Sequence, residues 1–407
     1  MMSDLEAGRA TRRGRVWLVG AACLVPMAVG ALALGGGSIA PVTAPAVAQG
    51  AAAALPAPPA SGVMGFVVEN FTPPVVFDKA ACPKGQALRL REAYLTTLPE
   101  AEQVRLKREE NKQEWDRLWQ TYAFGPNGAN VCSNPDMFER PVQRTVESPN
   151  GWGLDLDQGR GDDSCQHDEF TTPTGERGID NQEYRAMGCT PEWRGVDGIS
   201  NDQSTGMKQF HVSGEWTQVI LLRGVNSLQN DPEVEVVYAN TADRPALDSQ
   251  GKWLRGGSFA VSDKFPRERN VLRGRIVNGV LTTEPTDIKL VATWGQGGAR
   301  DLRGIRSKFD YRKARLRLTF QPDGSLTGML GGYRPVGDTI LSGMLGGAGT
   351  ALVAGHDCAS MLTTLRTMAD GLKDPKTGKC QGISSAQQIS AIPAFVTDLP
   401  ATRTAAR

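Results

Sequence analysis

The 407-residue chain is poor in histidine, with three, and in aromatic side chains, at 6%. Three scattered histidines make a histidine-built zinc centre an unpromising expectation. No Cys-x-x-Cys or Cys-x-x-Cys-His occurs, which removes covalently attached haem c, a thioredoxin-like redox pair and cysteine-built zinc. Gly-x-Ser-x-Gly, His-Glu-x-x-His and the Walker phosphate loop are missing too, so three common catalytic signatures are excluded. Charge of either sign is not in excess: 45 Lys and Arg face 44 Asp and Glu. No basic stripe interleaves with aromatics, so no nucleic-acid partner is expected. No repeat of fixed period is present. What remains is 40% hydrophobic and 22% charged, with 47 glycines. That composition calls for a packed core and many turns, with strands favoured over long helices.

The one long apolar run lies at the N-terminus. Arg9, Arg12, Arg13 and Arg15 precede "VWLVGAACLVPMAVGALALGGG", which carries no charge from Val16 to Gly37. Residues 1–37 therefore read as an export signal or as a membrane anchor with the arginines inside. Ala46-Val47-Ala48 offers a small-residue cleavage site, set well beyond the run. Either reading carries the remaining chain across a membrane, to a periplasmic or extracellular location. If uncleaved, residues 16–37 would hold it at the inner membrane. Cysteine usage agrees. Beyond Cys23 in the apolar run, six cysteines remain: Cys82, Cys132, Cys165, Cys189, Cys358 and Cys380. An even set in an exported chain reads as disulfides. Several connectivities are open; neighbours along the chain suggest Cys82–Cys132, Cys165–Cys189 and Cys358–Cys380.

Residues 38–62 form an Ala/Pro-rich linker that cannot bury a core. Residues 63–144 read as a helical segment packing on the core. Within it, "TLPEAEQVRLKREENKQEWDRLWQTYAF" opens with Thr97 and Glu100 at capping-box spacing, and Trp115, Leu118 and Tyr122 fall on one helical stripe. Residues 145–207 are acidic, rich in glycine and without period, a long loop that needs something to hold it. Residues 208–400 read as the β-rich core with a C-terminal helix. "EVEVVYAN" alternates, with Val234, Val236 and Tyr238 on one face; Asn278-Gly279 and Asp323-Gly324 sit between strand-like runs as hairpin turns. Asp357 is placed to cap a helix carrying Met361, Leu365, Met368 and Leu372 on one face. The expected fold is mainly β: an antiparallel sandwich or partly open barrel with flanking helices and a long disulfide-tied loop region.

Chemistry concentrates in "DLDQGRGDDSCQHDEF", residues 155–170. Asp155, Asp157, Asp162 and Asp163 offer hard oxygen ligands of the kind Ca²⁺ takes, and neighbouring glycines permit tight turns. Asp180, in "GIDNQ", could fold back onto them. The spacing lacks the full EF-hand pattern, and Arg160, Arg177 or Arg185 could neutralise the acids without a metal. His167 beside Asp168 and Glu169 is the one candidate acid/base unit; His167, Glu169 and Asp180 are the candidate catalytic residues, set against a structural role. His211 and His356 read as structural. Trp216, Trp253 and Trp294 lie in or beside strands and would form a stacking platform for a ligand if two of them pointed outward; packing in the core is the alternative.

The run "CQHDEFTTPTGERGIDNQEYRAMGC", preceded by "GLDLD" and followed by "LRGRIVNGVLTTEPTDIKL", resembles an uncharacterised family of exported proteobacterial proteins over about residues 80–400. The resemblance implies export and one shared domain, and no activity. The expected function is thus an exported cell-envelope protein, stabilised by disulfides and Ca²⁺, that binds a small molecule, a glycan or another envelope ligand. The alternative is an extracytoplasmic hydrolase using carboxylates and His167.

Overall fold

Valine, isoleucine and leucine at every second position set the architecture. In the computed structural model, which describes residues 54–158, 165–195, 197–198, 211–214, 216–261, 269–294, 305–343 and 348–398, eleven strands form one sheet. They are β1 (Met64–Thr72), β2 (Gln218–Arg223), β3 (Asn230–Asn240), β4 (Ser258–Ala260), β5 (Arg269–Val277), β6 (Val280–Thr283), β7 (Thr286–Trp294), β8 (Ile305–Phe320), β9 (Leu326–Pro335), β10 (Gly371–Lys373) and β11 (Cys380–Thr397). β1 pairs antiparallel with β2 on one side and β11 on the other, so Val67 lies opposite both Val219 and Ile392. That double pairing closes an eight-stranded antiparallel barrel in the order β1-β2-β3-β5-β6-β8-β9-β11. β4, β7 and β10 attach outside this circuit.

The mainly β expectation holds, while the sandwich or partly open barrel is corrected to a closed one. Closure removes the exposed edges that a sandwich would have to protect. Two segments not read as strands are decisive. The segment 63–144, read as helical, begins with β1, the strand that seals the barrel. The region after the last helix supplies β11, eighteen residues long and paired with four other strands.

Alternation sorts the side chains. Val234, Val236 and Tyr238 of β3 point inward with Ile220, Leu272, Leu316, Leu318 and Ile389, filling the barrel as a core rather than a channel. Val237 and Ala239 face out, under Trp253 and Phe259. Asn278 and Gly279 both adopt positive φ, 50° and 78°, between the paired residues Val277 and Val280. This two-residue turn suits the twist of the strands it joins. Asp323-Gly324 turns the β8–β9 hairpin, with Asp323 Oδ1 accepting from Ser325 N at 3.0 Å.

Helices cover one part of the barrel: α1 (Leu90–Thr96), α2 (Glu100–Leu106), α3 (Lys112–Ala123), α4 (Gln182–Met187), α5 (Pro191–Arg194), α6 (Val336–Gly343), α7 (Ala348–Val353) and α8 (Cys358–Thr367). They share a second core that includes Leu90, Tyr184, Trp193, Ile340, Met361 and Leu365. The expected long helix over 97–124 is two helices with a 3-10 turn between them. Thr97 caps the end of α1, its hydroxyl donating to Tyr94 O at 2.7 Å, and so forms no capping box. Asp357 does cap α8, accepting from Ser360 N at 3.2 Å. Leu372 leaves the helix face and lies in β10.

All six expected cysteines are paired, but none with its chain neighbour. The bonds are Cys82–Cys189, Cys132–Cys358 and Cys165–Cys380, with sequence separations of 107, 226 and 215. The neighbour pairing fails because α4 packs against α8 and β11, bringing distant parts of the chain together. Long loops of this size are worth about 5 kcal/mol each by the chain-entropy account. These bonds fit an oxidising, extracytoplasmic environment. Among the described residues no helix is long and apolar enough to cross a membrane, and residues 1–37 lie outside them.

Candidate functional site: an acidic cleft on the barrel flank

The described residues on either side of the acidic stretch are held in place. Leu154, Leu156, Phe170 and Ile179 are buried, and backbone bridges join Leu154 to Asp180 and Phe170 to Ile179. Gly153 permits this closeness: a Cβ there would lie 2.8 Å from Asp180 O. Asp180 N donates to Leu154 O at 3.0 Å. The Asp180 carboxylate then accepts from the Leu156 amide at 2.7 Å and the Asp157 amide at 3.4 Å. The residues that follow anchor α4. Asn181 Oδ1 accepts from Tyr184 N as the helix cap, and its Nδ2 donates to Trp152 O at 2.7 Å. Gln182 N donates to Ser384 Oγ on β11 at 2.8 Å.

Asp155, Asp157 and Asp180 converge, one carboxylate oxygen of each lying within 4.8 Å of the others. Beside them opens a cavity of about 340 Å³ lined by Asp157, Gln166, His167, Glu169, Asp180, Gln182, Tyr333 and Asp370, among others. Its far wall comes from the C-terminal part of the chain. Asp370 follows α8 and accepts from Ser384 N at 2.6 Å, and its carbonyl accepts from Cys165 N at 3.1 Å. The Cys165–Cys380 bond thus ties the two walls together. His167 Nε2 lies 3.2 Å from Ala369 O; a carbonyl only accepts, so Nε2 carries the hydrogen. Tyr333 lies flat over Gly371, where a Cβ would come within 2.3 Å of its ring. Tyr333 is 6% exposed, yet its hydroxyl makes no hydrogen bond among the described residues and faces the carboxylates.

Burial shapes the electrostatics. Asp180 is pushed up to about 7, first by desolvation and then by Asp370 and Asp157, against the pull of the Leu156 amide. Asp370 is pushed up to about 6, by desolvation first and also by Asp157, against its bonds to Ser384. Burial and the same three carboxylates raise the Tyr333 hydroxyl. Desolvation is the larger cause of both aspartate shifts; the smaller one, repulsion among the carboxylates, is the part that a positive charge beside them would relieve.

The expected site residues separate clearly. Asp155, Asp157 and Asp180 come together; Asp162 and Asp163, with Arg160, lie outside the described residues. His167, Glu169 and Asp180 line one cleft. Arg185 does not reach the triad: it donates to Gln182 Oε1 and Asp168 O. Arg177 is exposed, and Arg315, unforeseen, donates to the Asp155 carbonyl at 2.9 Å. Trp216 and Trp253 are buried, at 0% and 8%, which overturns an outward-facing platform built on those two. Trp216 packs against Phe71 and Phe309 inside the barrel because its position alternates into the core. The Trp294 side chain lies outside the described residues. His211 is buried, held well below the usual histidine range at about 4 by desolvation, and so is neutral. His356 lies 3.5 Å from Glu192. Asp370 and Tyr333 were missed. The Asp-Gly pair after a helix was a visible turn signal, but nothing local marks it as facing residue 180.

No family model, curated protein or solved structure matches the chain.

Proposed function

We propose that this chain is an exported envelope protein that binds a hydroxyl-rich ligand, such as a glycan, in the acidic cleft, with Ca²⁺ held by Asp155, Asp157 and Asp180. The observation that carries the reading is the convergence of these three carboxylates. Two oxygens each about 2.4 Å from one calcium ion can be at most ~4.8 Å apart, and the triad meets that limit. A lone acid cluster is common on surfaces. Here a wall adjoins it made of buried Asp370 and Tyr333 and half-buried His167. Polar groups spaced around a cation suit sugar hydroxyls, which bridge metal and side chains together.

The test is calorimetric titration of CaCl₂ into protein stripped with EGTA, beside Asp157→Asn. Binding in the ~10⁻⁴–10⁻³ M range typical of extracellular modules is expected, weakened at least tenfold in the variant. No binding heat and an unchanged melting temperature in excess EGTA would remove calcium from the account.

A second reading, an extracytoplasmic hydrolase, draws on one observation: His167, Glu169, Asp180 and Asp370 all open on the same cavity. Two of these carboxyls, Asp180 and Asp370, hold their protons to near neutral pH, as a general acid must. Chromogenic glycosides and esters, assayed with wild type and His167→Ala, separate the readings. Equal turnover in both proteins ends the hydrolase case.

A further inference from the structure

The strands carry many arginines, and almost all of those whose side chains are described are matched. Arg223 pairs with Glu235 and Asp398, Arg269 with Asp398, Arg312 with Asp287, and Arg317 with Glu176. Arg334 pairs with Glu183, and Arg315 donates to the Asp155 carbonyl at 2.9 Å. Arg273 and Arg275 on β5 differ. Both are exposed, and neither side chain has an ion pair or a hydrogen bond among the described residues.

These two arginines line a groove of about 540 Å³ on the outside of the barrel, together with Arg315, Glu233 and Glu284. Two irregularities in the sheet shape it. On β3, Asp231 lies opposite Ile276 and Val234 opposite Gly274, so Pro232 and Glu233 together face the single residue Arg275. Such a bulge bends its strand, and Pro232 has no amide hydrogen with which to restore the ladder. On the other side of β5, β6 ends at Thr283, and Glu284-Pro285 leads the chain to β7, which pairs with β8 instead. All four residues of these two breaks line the groove.

The chemistry of the walls is divided. A guanidinium only donates hydrogen bonds, and a carboxylate only accepts them. Arg273 and Arg275 stand two residues apart on one face of a strand, about 7 Å along the backbone. Glu233 and Glu284 share the groove with them, exposed and without an ion pair among the described residues. A ligand of dense negative charge, such as a phosphate chain, would meet the arginines and be repelled by the glutamates. A neutral sugar would leave both guanidinia without an anion. A molecule with both carboxylates and hydroxyls suits the whole wall, carboxylate on arginine and hydroxyl on glutamate.

The groove adjoins the acidic cleft. Gln158 lines the groove, and its amide donates to Asp155 Oδ1 at 2.6 Å. Arg315 lines it too and holds the Asp155 carbonyl. Asp155 therefore belongs to the carboxylate triad while bonded to two residues of the groove wall.

We propose that this groove is a subsite for the carboxylate of an acidic sugar, so that the glycan bound beside the triad is one that carries uronic-acid units. The proposal rests on the reading of the acidic cleft for the class of ligand, a glycan. The preference for acid comes from Arg273 and Arg275.

The test is calorimetric titration of trigalacturonic acid, and of uncharged galactotriose, into the full-length protein with CaCl₂ and again in excess EGTA. CaCl₂ alone is titrated in parallel, and Arg273→Gln with Arg275→Gln is compared with wild type. Both side chains are exposed, so the variant should keep the wild-type melting temperature. With calcium, wild type should bind the acid at least tenfold more tightly than the neutral sugar, the worth of about one hydrogen bond to a charged group. The variant should lose that preference. Equal affinity of wild type for the two sugars would overturn the groove, and that outcome does not depend on the variant folding. A preference for the acid that survives in the variant would overturn it too. In either case, heat from CaCl₂ alone shows whether the cation reading still stands. A preference for the acid that persists in EGTA and vanishes in the variant, with no heat from CaCl₂, would support the groove and remove only the cation. No binding of trigalacturonic acid under either condition would overturn the proposal.

Discussion

Replacing Asp180 with asparagine removes a charge from the cleft floor but keeps an oxygen able to accept from the Leu156 amide. The folded carboxyl ionises near 7 rather than the ordinary 3.8, chiefly because it is buried. The folded chain therefore keeps a proton that the unfolded chain has already released. That preference costs nothing below pH ~4, and stability is lost progressively as pH rises to about 7. Moving the ionisation from 3.8 to about 7, at about 1.36 kcal/mol per pH unit, corresponds to about 4 kcal/mol at pH 8. Asp157 and Asp370 share the repulsion, so one substitution recovers less, roughly 2–3 kcal/mol. Asp180→Asn should match wild type at pH 4 and exceed it at pH 8, by about 3–4 °C in melting temperature for a folded unit of this size. Scanning calorimetry in EGTA reads this directly. Calcium at about a hundredfold over its dissociation constant should close the gap at pH 8, adding about 2.7 kcal/mol to wild type alone. A variant offset from wild type by the same amount at both pH values would refute the reasoning, because the displaced ionisation would then play no part.

Gly371→Ala forces a methyl into the Tyr333 ring and should cost about 1–3 kcal/mol in urea unfolding while weakening calcium binding through the displaced wall. An unchanged midpoint would show that the ring moves aside freely. Cys132→Ser with Cys358→Ser opens a loop of 226 residues and should lower stability by up to about 5 kcal/mol by guanidinium melt. A loss below about 1 kcal/mol would show that the unfolded chain is not the state the bond restrains. Gly279→Ala places a Cβ at φ 78° in the β5–β6 turn, and about 1–2 kcal/mol should be lost by thermal melt. No loss would contradict the left-handed turn.

Some of this molecule was legible in its residues one stretch at a time. Asn278-Gly279 announced a hairpin because only a few residues tolerate two successive positive φ angles. Asp357 announced a helix start because its side chain caps from one turn away. The inward face of β3 followed from plain alternation. The aspartates of "DLDQG" and "GIDNQ" were picked out as a group because hard oxygen ligands in a glycine-rich loop suit Ca²⁺, with a solvated acidic turn or neutralising arginines as the alternatives. Trp216 was less legible: an aromatic in a strand serves a core or a platform equally well until its face is known.

Local chemistry acts over a turn or a strand period, and to that range residue order alone determined the hairpins, the cap, the inward faces and the even set of cysteines. Which distant pieces meet was decided by packing. β1 closes onto β11 across more than three hundred residues, Cys165 finds Cys380, and Asp180 faces Asp370 and Tyr333 across a cleft. Closing such loops costs entropy that only the assembled core offsets, so no short stretch of chain carries the signal.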